Sequence, residues 1–128
     1  MPGARILIVE DEEYLAENLY DFLKLEGFTP VIRNSVETAL ILVDTDPPDL
    51  VILDIQLPGM NGMEVLRQLK EINPALPVVI VSASSQKGTL EKIQEYHGDA
   101  MVMKPYDQDH LLQVIHDLLC RGLNHAQT

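Results

Sequence analysis

Residues 50–54 decide the fold of this chain: they read Leu-Val-Ile-Leu-Asp, four aliphatic residues followed at once by an aspartate. Three further runs of four apolar residues lie at positions 6–9, 78–81 and 100–103. Short aliphatic runs bounded by Pro, Gly or Asp are typical of strands that are covered on both faces. The sequence therefore predicts four buried strands.

A fifth strand is predicted at residues 28–33, where fewer residues are apolar. It contains Pro30, which has no backbone N–H to donate, so this strand belongs at an edge of the sheet. Five strands that alternate with helices predict an α/β fold with a single parallel sheet and helices on both of its faces. In such a sheet the functional site forms at the carboxyl ends of the strands.

Apolar residues recur at helical spacing between the strands. Four such stripes are Leu15, Leu19, Phe22 and Leu23; Val36, Leu40 and Val43; Val65, Leu69 and Ile72; and Leu111, Ile115 and Leu118. Ser35, Asn61 and Asp107 are predicted N-caps. Gly27 and Gly122 are predicted to follow the ends of the first and last helices.

One further helix, predicted at residues 86–96, is less well anchored than the others. Leu90 and Ile93 are its only clear apolar anchors. Because a helix with so little apolar surface to bury is held loosely, it is the element most expected to move.

Length and charge bound the class of protein. The chain has 128 residues, enough for one domain, and a formal net charge of −11, which repels nucleic-acid phosphates and anionic lipids. Direct nucleic-acid binding by this segment is therefore not expected. The longest apolar run, residues 39–43, is far below the roughly 18 residues of a membrane span. Cys120 is the only cysteine and no export signal precedes Arg5, so a cytoplasmic location is expected.

Charged and hydroxyl side chains follow the predicted buried strands. Glu10 and Asp11 come after the first of these strands in the chain, and Asp54, Ser82 and Lys104 come after the next three. Carboxylates that meet at one edge repel each other unless a cation neutralises them, and oxygen donors select Mg²⁺ or a similar ion. The sequence therefore predicts a divalent-metal site at this edge.

Asp54 has no histidine or cysteine beside it, so a hydrolase arrangement of nucleophile and base is absent. A carboxylate can instead be the nucleophile, attacking phosphorus to form an acyl phosphate while a metal ion and Lys104 offset the phosphoryl charge. Ser82 and backbone N–H groups after Asp54 would then hold the phosphoryl oxygens.

Four motifs in register resemble a known family, the receiver domains of response regulators in two-component signalling. They are Ile-Leu-Ile-Val-Glu-Asp-Glu at 6–12, Leu-Asp-Ile-Gln-Leu-Pro-Gly-Met-Asn-Gly at 53–62, Val-Ile-Val-Ser-Ala at 79–83 and Lys-Pro-Tyr at 104–106. The resemblance implies a flavodoxin-like (βα)5 fold with strand order 2-1-3-4-5. It places the receiver domain at residues 4–121, with residues 122–128 as a tail or the start of a linker.

The resemblance also implies a role for each site residue. Asp54 would be the phosphoacceptor, Ser82 the switch hydroxyl and Lys104 the cation that pairs with the phosphoryl group. The same resemblance implies a Mg²⁺ site and backbone contacts to the phosphoryl group. The implied ligands of the metal are Glu10, Asp11, Asp54 and the backbone carbonyl of Gln56. The implied backbone contacts come from the N–H groups of Gln56 and Ala83, which would donate to the phosphoryl oxygens.

A sensor histidine kinase or phosphotransfer protein is the phosphodonor that the resemblance implies. Phosphorylation would then shift the surface formed by the predicted helix at 86–96, the strand at 100–103 and the last helix. That surface would control an output domain in a longer chain, or a partner, and would support a homodimer that forms on phosphorylation. One departure from the family pattern is Met101, which stands where an aromatic side chain usually moves with the switch hydroxyl.

Three other functions compete with this interpretation. A Mg²⁺-dependent phosphatase or phosphotransferase of similar fold generally needs a second Asp two residues after the nucleophile, and that position is Gln56. The glycine-rich loops of flavin or nucleotide carriers do not occur. A receiver-like binding module that is never phosphorylated also stays open, because Met101 departs from the usual pattern.

Overall fold

Five strands form one parallel sheet in the predicted order 2-1-3-4-5, where the numbers give each strand's position along the chain. The computed structural model describes residues 3–54, 62–82, 99–104 and 106–127. The strands are β1 (Arg5–Val9), β2 (Thr29–Arg33), β3 (Leu50–Asp54), β4 (Val78–Ser82) and β5 (Ala100–Met103). The chain order reverses between β1 and β3, and this is where an open α/β sheet forms a crevice at its carboxyl edge.

Four helices are described, numbered here in chain order. They are α1 (Glu13–Leu25), α2 (Val36–Thr45), α3 (Gly62–Ile72) and α4 (Gln108–Gln127). The helix predicted at residues 86–96 lies outside the described residues, as does the predicted N-cap Asn61.

Local sequence explains where several helices begin and end. The hydroxyl of Ser35 accepts a hydrogen bond from the Thr38 backbone N–H at 3.3 Å and caps α2. A carboxylate oxygen of Asp107 accepts from the Asp109 backbone N–H at 3.0 Å and caps α4 in the same way. Gly27 follows α1 with φ of +93°, a conformation that glycine adopts without steric cost.

The sheet is covered on both faces because its strand residues alternate between two cores. Strand residues that include Leu7, Leu53 and Ile80 pack with α2 and α3. Strand residues that include Ile6 and Ile52 pack with α1 and α4. All residues of β3 and β4 are buried, so the apolar runs in the sequence correctly predicted strands with two covered faces.

β2 lies at one edge of the sheet, where the sequence placed it. Pro30 pairs with Ile6 in register. The backbone N–H of Thr29 donates towards β1, to the Ala4 carbonyl at 2.9 Å, so the nitrogen of the next residue, Pro30, faces the open edge, where a missing N–H costs little. β5 forms the other edge. The two edge strands are only partly buried, whereas the inner strands β1, β3 and β4 are buried almost throughout.

The predicted stripe of α3 was wrong at one position. Ile72 is 39% exposed, whereas Val65, Leu66 and Leu69 are fully buried. The buried arc of the helix is therefore centred between Val65 and Leu66, which leaves position 72 at its margin.

The predicted end of the last helix was also wrong, because α4 continues through Gly122 to Gln127. A glycine inside a helix costs only about 1 kcal/mol relative to alanine, which is too little to end a helix by itself. The division between a domain at 4–121 and a tail at 122–128 stays a prediction.

Among the described residues, no helix has both the length and the apolar character needed to cross a bilayer.

Candidate functional site

Parallel strands bring the predicted site residues to one edge of the sheet. Asp54 and Ser82 are the last residues of β3 and β4. Glu10 and Asp11 follow β1 directly, and Lys104 follows β5. Since all the strands run in the same direction, side chains from distant parts of the chain meet at their carboxyl ends.

Lys104 follows the edge strand β5, and its side chain forms ion pairs with carboxylates at the ends of β1 and β3. Its ammonium Nζ lies 3.1 Å from Oδ2 of Asp54 and 3.3 Å from Oε1 of Glu10. Its backbone N–H donates to the Ser82 carbonyl at 2.8 Å, which holds the end of β5 against the end of β4. The ammonium is therefore placed by the sheet itself and lies over two carboxylates.

Three carboxylates form the other half of the site. Oxygen atoms of Glu10, Asp11 and Asp54 all lie within 4.8 Å of one another. Oxygens bound to one Mg²⁺ at about 2.1 Å lie within roughly 4.2 Å of each other, so this donor set fits the ion after small side-chain adjustments. Asp11 is exposed, which leaves the set accessible to a hydrated ion.

Two of these carboxylates are buried. Asp54 is 6% exposed and Glu10 is 8% exposed. Burial of Glu10, together with its hydrogen bond and its repulsion with Asp54, raises the pKa of its carboxyl to about 7, although Lys104 opposes this shift. Burial works against the charge of Lys104, but Asp54 and Glu10 together hold its pKa above the ordinary value. One ammonium thus offsets this cluster of carboxylates incompletely, and a further cation would complete the compensation.

Backbone contacts orient Glu10 within the cluster. Its backbone N–H donates to the Arg33 carbonyl at 3.3 Å, so the strand pairing with β2 extends to the site. Its Oε2 accepts from the backbone N–H of Glu12 at 3.4 Å. These contacts direct the carboxylate of Glu10 towards the carboxyl edge of the sheet.

Ser82 is fully buried at the end of β4. Its neighbour Val81 pairs in register with Asp54, so the serine lies one residue beyond the level of the aspartate on the adjacent strand. Gln56 and Ala83, the other two predicted site residues, lie outside the described residues.

Sequence reasoning did not find a cavity of about 420 Å³ that adjoins the site. Leu15 and Leu19 of α1 and Tyr106 after β5 contribute to its walls. Burial raises the pKa of the Tyr106 hydroxyl, consistent with its position against this cavity. The spacing of Leu15 and Leu19 indicated only an inward-facing helix, because an internal space leaves no trace in a sequence pattern.

Comparison with known proteins agrees with this fold. Residues 6–116 match the family described as the response regulator receiver domain. The chain therefore belongs to the receiver domains of two-component response regulators, as its motifs indicated. Such domains are regulatory.

The curated relatives include the cell cycle transcriptional regulator CtrA of Caulobacter vibrioides, which is 33% identical over 124 residues. That alignment covers 97% of this chain and 54% of CtrA. The sensory transduction protein RegX3 of Mycobacterium tuberculosis is 38% identical over 119 residues, which cover 91% of this chain and 51% of RegX3. The chain thus spans about half the length of the curated relatives it matches.

Solved structures show the same fold. The CheY-like receiver domain protein of Methanospirillum hungatei superposes with a TM-score of 0.92 at 25% sequence identity. The superposition covers 96% of this chain and 98% of that one. The predicted fold class and strand order are both confirmed.

Proposed function

We propose that Asp54 accepts a phosphoryl group from a phosphohistidine on a sensor histidine kinase or phosphotransfer protein. The observation that supports this role is the placement of Asp54 between Lys104, 3.1 Å away, and the carboxylates of Glu10 and Asp11. A nucleophile for phosphoryl transfer needs positive charge beside it, because the transferred group brings negative charge into the site.

The proposed Mg²⁺ ligands are Glu10, Asp11 and Asp54, joined by the backbone carbonyl of Gln56. Bound Mg²⁺ would supply a positive charge that neutralises the phosphoryl oxygens. The donor set is made of oxygen atoms, as this ion prefers, and its carboxylates lie close enough together to share it.

The covalent step is a displacement at phosphorus. A carboxylate oxygen of Asp54 forms a bond to phosphorus, the bond from phosphorus to the imidazole nitrogen of the donor breaks, and the imidazole leaves with that electron pair. Lys104 turns from the carboxylates towards the new phosphoryl oxygens and pairs with them. Backbone N–H groups of Gln56 and Ala83 donate to the remaining oxygens.

Ser82 couples the modification to the rest of the domain in this proposal. Its hydroxyl moves towards the phosphoryl group, and the chain after β4 follows it. The surface of the predicted helix at 86–96, β5 and α4 then carries the signal. Met101, half-buried against the α2 and α3 side of the sheet, takes the place of the usual aromatic side chain, and its thioether repacks readily.

The chain is the regulatory part of a longer response regulator in this proposal, and the output domain follows α4. A homodimer that forms through the same surface on phosphorylation is a further part of it. Analytical ultracentrifugation with and without phosphorylation tests the dimer, and an unchanged sedimentation coefficient would argue against it.

Incubation with Mg²⁺ and acetyl phosphate, followed by intact mass spectrometry, tests the acceptor. We expect one phosphoryl adduct on the native chain, and no adduct when the metal is chelated. Asp54→Asn should lose the adduct, whereas Asp44→Asn, which removes an exposed carboxylate on α2, should keep it. An adduct of equal yield on Asp54→Asn would refute the assignment. Turnover of a free phosphoester would instead favour the phosphatase alternative.

A further inference from the structure

An apolar cavity opens from the acidic site into the space between the sheet and α1. Its volume is about 420 Å³, within the roughly 300–1,000 Å³ that small-molecule sites occupy. Besides Val9, the described apolar residues that line it are Ile8, Leu15, Leu19, Ile52, Val81 and Tyr106. The receiver chemistry proposed above uses none of these six side chains.

Charged groups line the same cavity on its other side. Glu10, Asp54 and Lys104 are all part of its wall. Asp11 lies in the same carboxylate cluster as the two acids. Two carboxylates in the wall and a third beside them outnumber the one ammonium, so the net charge at this end of the cavity is negative and complementary to a cation.

We propose that this cavity binds a small organic cation, an ammonium group on a compact apolar body. The apolar body lies between α1 and the sheet, where it is removed from water. The ammonium lies against the carboxylate of Asp54 in the cavity wall, with Asp11 in the same carboxylate cluster, and forms charge-assisted hydrogen bonds there. The proposal adds a ligand that phosphoryl transfer from a kinase does not require.

Charge selects this ligand class over its neutral and anionic relatives. A neutral molecule of the same shape fills the apolar part but leaves the carboxylates uncompensated. An anion of the same shape meets two buried carboxylates, and Lys104 is already paired with both of them. The bound ammonium also occupies the region where the proposed Mg²⁺ ligands meet, so the organic cation and Mg²⁺ exclude each other.

A homologous series of alkylamines provides the probe. Butylamine, hexylamine and octylamine are titrated into the metal-free chain and followed by calorimetry and by methyl chemical shifts of Ile8 and Ile52. Burial of each added methylene strengthens binding by about fourfold. Octylamine should bind at least tenfold more tightly than 1-octanol or octanoate, and saturating Mg²⁺ should weaken octylamine binding at least tenfold.

Variants of α1 locate the site. Leu19→Trp fills the cavity from a buried position, and Leu25→Trp is its matched control because Leu25 is 87% exposed on the same helix. We expect Leu19→Trp to lose octylamine binding at least tenfold and to retain Mg²⁺ binding, whereas Leu25→Trp should behave as the native chain. Leu15→Phe, which narrows the cavity from a half-buried position, replaces Leu19→Trp if circular dichroism shows that the latter is unfolded.

Three results would overturn the proposal. These are equal binding of octylamine and octanol, octylamine binding that Mg²⁺ leaves unchanged, and native octylamine affinity in a folded cavity-filling variant. Failure here is distinguishable from failure of the proposed function, because phosphorylation by acetyl phosphate without amine tests Asp54 alone. With octylamine present, we expect the rate of that phosphorylation to fall in the native chain and not in Leu19→Trp.

Discussion

The two ends of the sheet both carry ion pairs that involve lysine, and the two pairs differ in charge balance. At the amino end, Nζ of Lys70 lies 2.7 Å from a carboxylate oxygen of Asp99, and the same oxygen accepts from the Val78 backbone N–H at 2.8 Å. Nζ also donates to the Leu76 carbonyl at 2.6 Å. There, one carboxylate meets one ammonium and the nearby backbone groups are satisfied.

At the carboxyl end, one ammonium meets an excess of carboxylates. Lys104 pairs with both Glu10 and Asp54, and Asp11 lies within the same cluster. Repulsion among buried like charges disfavours the folded state unless something compensates it. The contrast teaches that charge balance separates the two ends: the amino end holds a neutral pair, whereas the carboxyl end has an excess of negative charge that a bound cation would neutralise.

The largest expected change in stability comes from breaking the neutral ion pair at the amino end of the sheet. Asp99→Ala removes the partner of a lysine side chain that is only 12% exposed, and it leaves the Val78 N–H without its carboxylate acceptor. We expect the free energy of unfolding to fall by about 2–3 kcal/mol, measured by urea denaturation. Mg²⁺-dependent phosphorylation of the folded fraction should persist. A loss below about 0.5 kcal/mol would show that the amino-end pair does not stabilise the fold.

Metal binding should stabilise the unbalanced end. At a Mg²⁺ concentration ten times the dissociation constant, the free energy of unfolding should rise by about 1.4 kcal/mol. Chelation should reverse the gain, and Asp54→Asn should reduce it because one ligand is lost. Equal stabilisation of the native chain and of an Asp11→Asn, Asp54→Asn double variant would assign the effect to nonspecific screening.

Removing a carboxylate should change the free energy of unfolding in opposite directions at the two ends of the sheet. Without metal at pH 8, Asp54→Asn relieves repulsion with Glu10 and should raise the free energy of unfolding by about 1 kcal/mol. Thermal denaturation in a chelating buffer measures this change against Asp99→Ala. Destabilisation by both substitutions would contradict the distinction drawn between the two ends.

Substitution of Lys104 tests the same excess of negative charge by removing the cation that partly offsets it. Lys104→Ala removes the resident ammonium, which repels the metal ion. The affinity for Mg²⁺ should therefore rise, by about twofold to threefold because the ammonium is 23% exposed and partly screened by water. Signal output of the phosphorylated variant should be poor, because the new phosphoryl group loses its pairing partner. Isothermal titration with Mg²⁺ measures the first effect, and a large loss of affinity would show that Lys104 supports the metal ligands instead.

The smallest effect is expected at the exposed pair beside the amino end. Arg5 and Asp46 lie 2.7 Å apart, but the Asp46 side chain is 65% exposed. Asp46→Ala should change the free energy of unfolding by no more than about 0.5 kcal/mol, since exposed ion pairs contribute little. Urea denaturation beside Asp99→Ala gives the comparison, and equal losses would mean that burial does not distinguish these pairs.

Much of the fold could be predicted because its signals are local. Each buried strand is a short aliphatic run, and Ser35 and Asp107 cap helices through their own side chains. The convergence of Glu10, Asp54 and Lys104 was also predictable, because strand direction alone brings the residues after each strand to one edge. The errors at Ile72 and Gly122 arose where neighbouring structure decides which of several acceptable local arrangements is adopted.

The sequence by itself determined a parallel α/β receiver domain with Asp54, Lys104 and the paired acids Glu10 and Asp11 at one edge. Strand periodicity and strand direction are sufficient for the parallel sheet and its acidic edge, and the receiver family was indicated by the resemblance of four motifs. Only the tertiary structure decided that Lys104 meets two carboxylates while Lys70 meets one, and that a cavity adjoins the site. Charge balance and internal space depend on distances between residues far apart in the chain, and those distances exist only once the elements have packed.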